Sequence, residues 1–415
     1  METNPFILTS RIPEQYFCDR VAETENILKC IDNQENIVLT ARRRIGKTGL
    51  INHCFDVERI RQNYYEISID ILHTASLKEF VQELGNVSFR AVASRSERMM
   101  KSFAAALRSL SASFGYDPVL ASPTFDIKLG DLERPQYTLD EIFQFLENAD
   151  KPCIVAIDEF QQIIRYPEKN VEELLRGKIQ KLTNTHFIFA GSERRIMSEM
   201  FFSEKRPFYL SATSVALDPI DRDIYREFAE LQFRNGGKQL SPDAFLHVYD
   251  KFEGVTMHIH RVLHDAYAYT GQGGCISVTD ILSICKSYIH EYGSRLRELM
   301  SNVSEQQKEV LYAIVEEKEA TSITSSAFIK RHRLKSASSI QSAMKYLLSE
   351  DLVTKTGNVY TISDPMLRIW IESEKICERV HWRLKMTCEL LKIIFRSKPL
   401  KRGDSEGRGH RRRGG

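Results

Sequence analysis

The sequence lacks the features by which zinc sites, disulfide scaffolds and membrane spans are recognised. Its eight cysteines include no CxxC pair, and no Cys/His spacing is typical of a zinc site. Several cysteines, such as Cys153, lie in apolar runs, which favours buried reduced thiols. No apolar run approaches the roughly 20 residues that a membrane-spanning helix needs, and the N-terminal segment has no basic-then-apolar signal. We therefore expect a cytoplasmic protein with no membrane partner.

An excess of charge of one sign is also missing, because 58 Lys and Arg residues stand against 56 Asp and Glu residues and give a net charge of +2. The balance hides an asymmetry. The tail at 396–415 carries eight basic and two acidic side chains, so its net charge is +6 and that of residues 1–395 is −4. The overall charge of residues 1–395 therefore gives no argument that this part of the chain binds nucleic acid. The tail, which we expect to be disordered, could bind nucleic acid non-specifically.

With 415 residues, 42% of them hydrophobic, the chain is long enough for two to three domains. Short apolar strands are predicted at 35–41, 64–71, 153–157, 186–190 and 214–217. Because helical patterns separate them, they predict a parallel α/β sheet covered on both faces. Residues 76–112 are predicted to be helical and residues 113–136 to form a connector. Thr138 and Glu141 are predicted to form the capping box of the next helix.

The pattern changes after Pro219. Residues 221–300 are almost entirely helical in pattern, with Asp221 and Ser241 as expected N-caps. From 304 to 371, three helices precede a hairpin, which is the order of a winged helix. We predict an α/β core at 1–219, a helical lid at 220–302, a winged-helix domain at 303–372, and a helical extension with a basic tail at 373–415.

Residues 41–48, ARRRIGKT, form a candidate phosphate-binding loop. They match GxxxxGK[ST] except that Ala41 replaces the first glycine. A strand precedes the loop and a helix follows it, so backbone N–H groups and the helix N-terminus face bound phosphates. Gly46 permits close approach of the backbone, Lys47 can reach the β- and γ-phosphates, and Thr48 can ligate Mg²⁺. The arginines at 42–44 either raise nucleotide affinity or pair with acids; the sequence leaves both open.

The apolar strand at 153–157 ends in Asp158 and Glu159, the second half of such a site. Asp158 would hold Mg²⁺, and Glu159 would act as general base towards the attacking water. A strand that ends in two solvated acids is common, but together with the Gly-Lys-Thr segment the pair is specific. Gln161 and Gln162 either position water or a partner, or serve as capping or surface residues.

With these segments the chain resembles the AAA+/STAND-type P-loop ATPases, close to the archaeal ATPase family with a C-terminal winged helix. The resemblance rests on RRRIGKT, CIVAIDEFQQI, FIFAGSERRIM, and FCDRVAE at 17–23, which is similar to the family's nucleotide-base motif hhGRExE. In that motif Asp19 stands for Gly and Val21 for Glu, whereas Arg20 and Glu23 remain. The lid segment at Gly254 lacks the proline of the family's GxP element.

The resemblance implies further roles. Ser192 would sense the γ-phosphate, Arg206 would act as an arginine finger between subunits with Arg194 and Arg195 as rivals, and Arg261 is a candidate lid sensor. The expected nucleotide contacts are Phe17, Arg20, Ala41, Arg42, Arg43, Arg44, Ile45, Gly46, Lys47, Thr48 and Gly49. The expected catalytic residues are Lys47, Glu159, Ser192 and Arg206, and the expected Mg²⁺ ligands are Thr48 and Asp158.

We thus expect an ATP-binding protein that hydrolyses ATP with Mg²⁺ as a conformational switch. Two alternatives stay open: a DNA-binding regulatory protein with a slow or degenerate nucleotide site, and a signalling scaffold that forms homo-oligomers with ATP. DNA contacts would come from the helix at 336–349, from the basic residues at 330–335, or from the tail. A protein client is also expected, and its identity is open.

Overall fold

A computed structural model describes residues 3–92, 97–107, 113–117 and 122–374. The predicted extension and basic tail beyond 374 lie outside the described residues. Strands and helices are numbered below in chain order.

A five-stranded parallel sheet forms the centre of the N-terminal part. Its strands are Ile37–Ala41 (β1), Tyr65–Asp70 (β2), Cys153–Asp158 (β5), Thr185–Gly191 (β6) and Thr213–Leu217 (β7). Their order is β2-β5-β6-β1-β7, and each predicted strand is confirmed. Since the strands are parallel, their carboxyl ends share one edge of the sheet, with β6 between the two strands that carry the nucleotide motifs.

Eight helices accompany this sheet within the described residues. They are Val21–Asp32 (α1), Lys47–Asp56 (α2), Glu58–Asn63 (α3), Leu77–Ala91 (α4), Glu97–Ala106 (α5), Pro135–Glu147 (α6), Val171–Ile179 (α7) and Arg194–Phe202 (α8). One sheet face packs against Ile27 and Leu50 of α1 and α2, and the other against Phe80 and Leu139 of α4 and α6. Both faces are covered, as the continuous apolar strands predict.

The region before β5 differs from the sequence-based expectation. The helix expected over 76–112 is divided into α4 and α5, and the expected connector contains an antiparallel hairpin of Ser113–Asp117 (β3) and Ser122–Asp126 (β4). The predicted capping box is wrong, because α6 begins at Pro135 and places Thr138 inside the helix. Proline fits the first helical position, where its missing N–H costs nothing.

The C-terminal half is helical and then adopts the winged-helix order. Its helices are Arg222–Asn235 (α9), Pro242–Lys251 (α10), Thr256–Tyr269 (α11), Val278–Ser301 (α12), Glu305–Glu317 (α13), Ser326–Arg331 (α14) and Ala337–Ser349 (α15). Its strands are Gln239–Leu240 (β8), Cys275–Ile276 (β9), Ala320–Thr321 (β10), Val353–Thr356 (β11) and Val359–Ile362 (β12). Residues 365–374 are again helical.

Two details follow from the local sequence. Asp221 caps α9 through its side chain, as expected, whereas Ser241 precedes α10 without a side-chain cap hydrogen bond.

One apolar core, which includes Phe233, Leu347 and Trp370, continues from the lid helices into the winged helix. The domain boundaries predicted from the sequence stay predictions. Across the described ranges, no helix is both long enough and apolar enough to cross a membrane.

Candidate functional site

The phosphate-binding loop lies between β1 and α2 at the carboxyl edge of the sheet. Ala41 is the last residue of β1 and pairs with Leu217, so it is extended, a conformation that alanine adopts without strain. Gly46 has φ +104° and directly precedes α2, a conformation that favours glycine. The replacement of the motif's first glycine therefore leaves the loop geometry intact, whereas Gly46 is required.

The loop meets the acids that follow β5. The Thr48 hydroxyl donates a hydrogen bond of 2.6 Å to Asp158 Oδ2, and Lys47 Nζ lies 3.5 Å from Glu159 Oε1. Lys47 is only 7% exposed. Ser192, directly after β6, donates to Glu159 Oε2 from its hydroxyl at 2.6 Å and from its backbone N–H at 3.3 Å. The two predicted halves of the site and the predicted γ-phosphate sensor are therefore in contact.

The surroundings of Glu159 keep its carboxylate charged. Burial raises the pKa of Glu159, but the charge of Lys47 and the hydrogen bonds from Ser192 and Gln161 outweigh burial, so the pKa lies below its usual range. An ionised carboxylate can accept a proton. Glu159 is thus available as a base.

The residue types also fit a magnesium ion and a triphosphate. Thr48 and Asp158 bring a hydroxyl and a carboxylate oxygen together, and Mg²⁺ typically takes one or two carboxylates and completes its shell with phosphate oxygens and water. The N-terminus of α2 supplies N–H groups beside the buried ammonium of Lys47. Such a site suits a polyphosphate that carries a divalent ion.

Two arginines of the loop, Arg42 and Arg44, bind the lid and the winged helix. Arg42 donates to Glu253 Oε2 at 3.0 Å and to the Ser363 carbonyl oxygen at 3.1 Å. Arg44 forms an ion pair with Asp364. Of the two possibilities that the sequence left open for these arginines, pairing with acids is the one found. Direct nucleotide contacts from them stay a prediction.

Arg43 joins the nucleotide centre to the winged helix. Its Nε lies 2.9 Å from Asp351 Oδ2 and donates to Ser192 Oγ at 3.3 Å. Burial raises the pKa of Asp351 to about 6, although the charge of Arg43 acts in the opposite direction. The winged helix thus buries a carboxylate against the loop.

The pKa of Asp364 is shifted in the opposite direction from that of Asp351. Burial raises its pKa, but the hydrogen bond with His258 and the charge of Arg44 bring it down to about 2. His258 is fully buried on α11, with Nε2 3.1 Å from Asp364 Oδ1 and Nδ1 2.8 Å from the Tyr288 hydroxyl. In addition, Met257 of α11 donates its backbone N–H to the Arg44 carbonyl oxygen at 3.1 Å. Loop, lid and winged helix therefore meet at Asp364.

The N-terminal motif lies between α2 and the lid. The Phe17 ring stacks on His53 of α2, with ring centroids 3.9 Å apart and planes 5° apart. Arg20 is 5% exposed and donates to Glu23 at 2.8 Å, while its Nη2 is buried without a hydrogen-bond partner among the described residues. Burial raises the pKa of Tyr225 in the lid, and the charge of Arg20 acts in the opposite direction. Their nucleotide contacts stay predictions, as do those of Ile45 and Gly49.

Two of the three candidate arginine fingers, Arg206 and Arg194, have partners within the chain. Arg206 forms an ion pair with Glu172, and Arg194 donates to the Leu217 carbonyl oxygen at 2.9 Å. Arg195 is exposed in a cleft of about 1380 Å³ between α8 and the winged helix. Arg261 donates to Asp265 at 2.9 Å. Nothing in these contacts tests action across subunits, so the finger assignments stay predictions.

Sequence reasoning missed two groups of residues. Glu253, Asp351 and Asp364 bind the loop arginines from 200 or more residues away, and no local pattern marks them. Gln161 was expected to have a surface or capping role more than a positioning one, yet it is 1% exposed and donates to Glu159 at 2.6 Å. No local pattern marks this burial, because Asp158 and Glu159 interrupt the apolar run before Phe160.

Solved structures share this fold. The Walker-type ATPase PABY2304 of Pyrococcus abyssi superposes with a TM-score of 0.63 at 17% identity, over 89% of this chain and 99% of that chain. The ORC2 protein of Aeropyrum pernix, solved as ADPNP-ADP complexes, gives a TM-score of 0.53 at 12% identity, over 89% and 98% of the two chains. No curated protein matches the sequence.

Two families match by sequence. A family described as a probable winged helix domain matches residues 294–373. A second family, described as an ATPase domain predominantly from Archaea, matches residues 17–262, which include the loop, the acids after β5 and most of the lid. The chain therefore belongs to this family of ATPases.

Proposed function

We propose that the protein hydrolyses ATP with Mg²⁺ and that the nucleotide controls how the winged helix is held. The observation that carries the proposal is the contact of Lys47 and Thr48 with Glu159 and Asp158 across the sheet edge. Lys47 binds the β- and γ-phosphates, and Thr48 with Asp158 holds Mg²⁺, which when bound neutralises charge on those phosphates. Glu159 accepts a proton from the attacking water.

In this proposal Ser192 senses the γ-phosphate. Its hydroxyl donates a hydrogen bond to Glu159 and accepts one from the Arg43 guanidinium. A γ-phosphate oxygen would offer this hydroxyl a charged acceptor in place of Glu159. Ser192 thereby links the state of the nucleotide to Arg43, which in turn binds the winged helix.

The switch itself rests on competition for the loop arginines. In the structure, Glu253, Asp351 and Asp364 neutralise Arg42, Arg43 and Arg44. Bound triphosphate carries several negative charges beside the same loop, so it weakens the attraction between the arginines and these acids. ATP binding then loosens the winged helix, and hydrolysis with loss of phosphate restores its contacts.

The test is an ATP-binding and ATP-hydrolysis assay with Mg²⁺ on the wild type, Lys47→Ala and Glu159→Gln. Lys47→Ala should abolish binding, because it removes the buried ammonium that faces the phosphates. Glu159→Gln should bind ATP with near wild-type affinity and fail to turn it over. A wild type that binds no ATP in the presence of Mg²⁺ refutes the proposal.

DNA binding through the winged helix is a second candidate. Gln341 and Lys345 of α15 line the cleft that also exposes Arg195, so several cationic and amide groups face one opening. These side chains can bind phosphate and base edges. Steeply salt-dependent DNA binding that weakens in Lys345→Ala would support it, and no binding at low salt would exclude it. An ATP-dependent homo-oligomer with Arg206 acting in trans is tested by mass measurement with and without an ATP analogue.

A further inference from the structure

Gln161 contacts the proposed general base from a position that gives it little freedom. Its Nε2 donates to Glu159 Oε2 at 2.6 Å, the same oxygen that accepts the hydroxyl and the backbone N–H of Ser192. The other oxygen of the carboxylate, Oε1, lies 3.5 Å from Lys47 Nζ. Three donors thus converge on Oε2 and leave Oε1 facing the phosphate-binding loop.

The backbone is shaped to admit this amide. A Cβ atom at Gly191, the last residue of β6, would lie 2.5 Å from Gln161 Oε1 and 2.5 Å from the Met197 side chain. The amide therefore fills the space that the glycine leaves. Its orientation is fixed as well, because a reversed amide would place its oxygen against Glu159 Oε2 at hydrogen-bonding distance, where two acceptors repel.

The arrangement is costly for the fold. Gln161 is 1% exposed, and its Oε1 has no hydrogen-bond partner in the part of the chain that the structure describes. A buried carbonyl oxygen without a partner destabilises a protein, so an apolar side chain of the same shape would serve packing better. The presence of an amide here points to a task at Glu159.

We propose that Gln161 is a positioning residue that holds Glu159 Oε2 so that Oε1 is the oxygen that takes the proton of the attacking water. In this step a water O–H bond breaks and its proton passes to Oε1. The water oxygen bonds to the γ-phosphorus, and the bond to the bridging oxygen breaks, with its electron pair leaving on ADP. The inference rests on the proposed ATPase function. Among the described residues, no side-chain hydrogen bond joins Gln161 to Lys47, Thr48 or Asp158, so we expect ATP binding not to depend on it.

The experiment compares Gln161→Met with Gln162→Met, two adjacent residues and the same chemical change. Gln162 donates to the Thr74 carbonyl oxygen at 2.9 Å instead of to Glu159. Loss of one hydrogen bond to a charged group should lower kcat of Gln161→Met about tenfold with an unchanged Kd for ATP. Gln162→Met should keep wild-type kcat. A lower kcat with an unchanged Kd for ATP is an outcome that a purely structural role would not give.

Gln161→Asn serves as the second variant, because its smaller amide fits the site but is too short to reach Glu159. It should lower kcat as Gln161→Met does. The inference is overturned if a folded, ATP-binding variant at 161 keeps wild-type kcat, or if both variants at 161 lose ATP binding. A wild type without turnover refutes the ATPase function itself, whereas turnover that is insensitive to Gln161 refutes this inference alone.

Discussion

The contact between Arg44 and Asp364 offers a quantitative test of the switch. In Asp364→Asn the side chain keeps its shape and its Oδ1, which accepts the Met366 backbone N–H at 2.9 Å, whereas the charge is lost and the oxygen that faces Arg44 becomes an amide nitrogen. The pKa of Asp364 falls from 3.8 to about 2, a shift that corresponds to about 2.5 kcal/mol in favour of the charged form.

Not all of that energy disappears with the charge. The side chain of Asp364 is 25% exposed, and asparagine retains its contacts with His258 and Met366 as a neutral acceptor. We therefore expect the free energy of unfolding to fall by about 1 to 2 kcal/mol at neutral pH. At the same time a competitor for the loop arginines is removed. A gain of about 1.4 kcal/mol for ATP corresponds to a tenfold lower Kd.

The assay measures both quantities on the same preparations, by denaturant unfolding and by equilibrium binding of ATP with Mg²⁺. Glu350→Gln is the matched control, since it removes an exposed carboxylate at the end of α15 in the same domain. The expected result is a less stable Asp364→Asn that binds ATP more tightly, with little change in the control. If Asp364→Asn binds ATP with unchanged or weaker affinity, the acids do not compete with the phosphates and the switch as described is wrong.

Three further predictions test other parts of the structure. Lys47→Ala should fold like the wild type and lose ATP binding, measured by calorimetry; retained binding would mean that the phosphates lie elsewhere. The pKa of Asp351 is raised to about 6, so the folded state favours its protonated form. The contribution of this side chain to the free energy of unfolding is therefore complete below pH 4 and is lost as the pH rises through 6. Relative to Asp351→Asn, the unfolding free energy of the wild type should therefore fall by about 1.4 kcal/mol from pH 5 to pH 8, and equal pH profiles would contradict the burial of this carboxylate. Phe6 is fully buried between Phe233 and other rings of the lid, so Phe6→Ala should lower the free energy of unfolding by about 3 kcal/mol or more, measured by thermal unfolding. Leu8→Ala, at a 48% exposed position, should change the free energy of unfolding little.

Prediction from the sequence succeeded where the signal was local. The strands before Arg42 and Glu159 are continuous apolar runs, and such runs belong to parallel strands buried on both faces. It failed at Thr138, because two local signals compete there and Pro135, which fits the first turn of a helix, determines where α6 begins. The hairpin of β3 and β4 was missed because short strands in a Pro- and Gly-containing segment resemble a connector.

The sequence by itself determined the family, the sheet and the residues that meet at its edge, since the order of parallel strands brings the ends of β1, β5 and β6 together. Only the tertiary structure decided what the loop arginines bind. Arg44 and Asp364 are 320 residues apart, and their contact depends on how the lid and winged helix pack against the core. The same is true of Gln161, whose burial follows from the space beside Gly191 and not from its own neighbours in the chain.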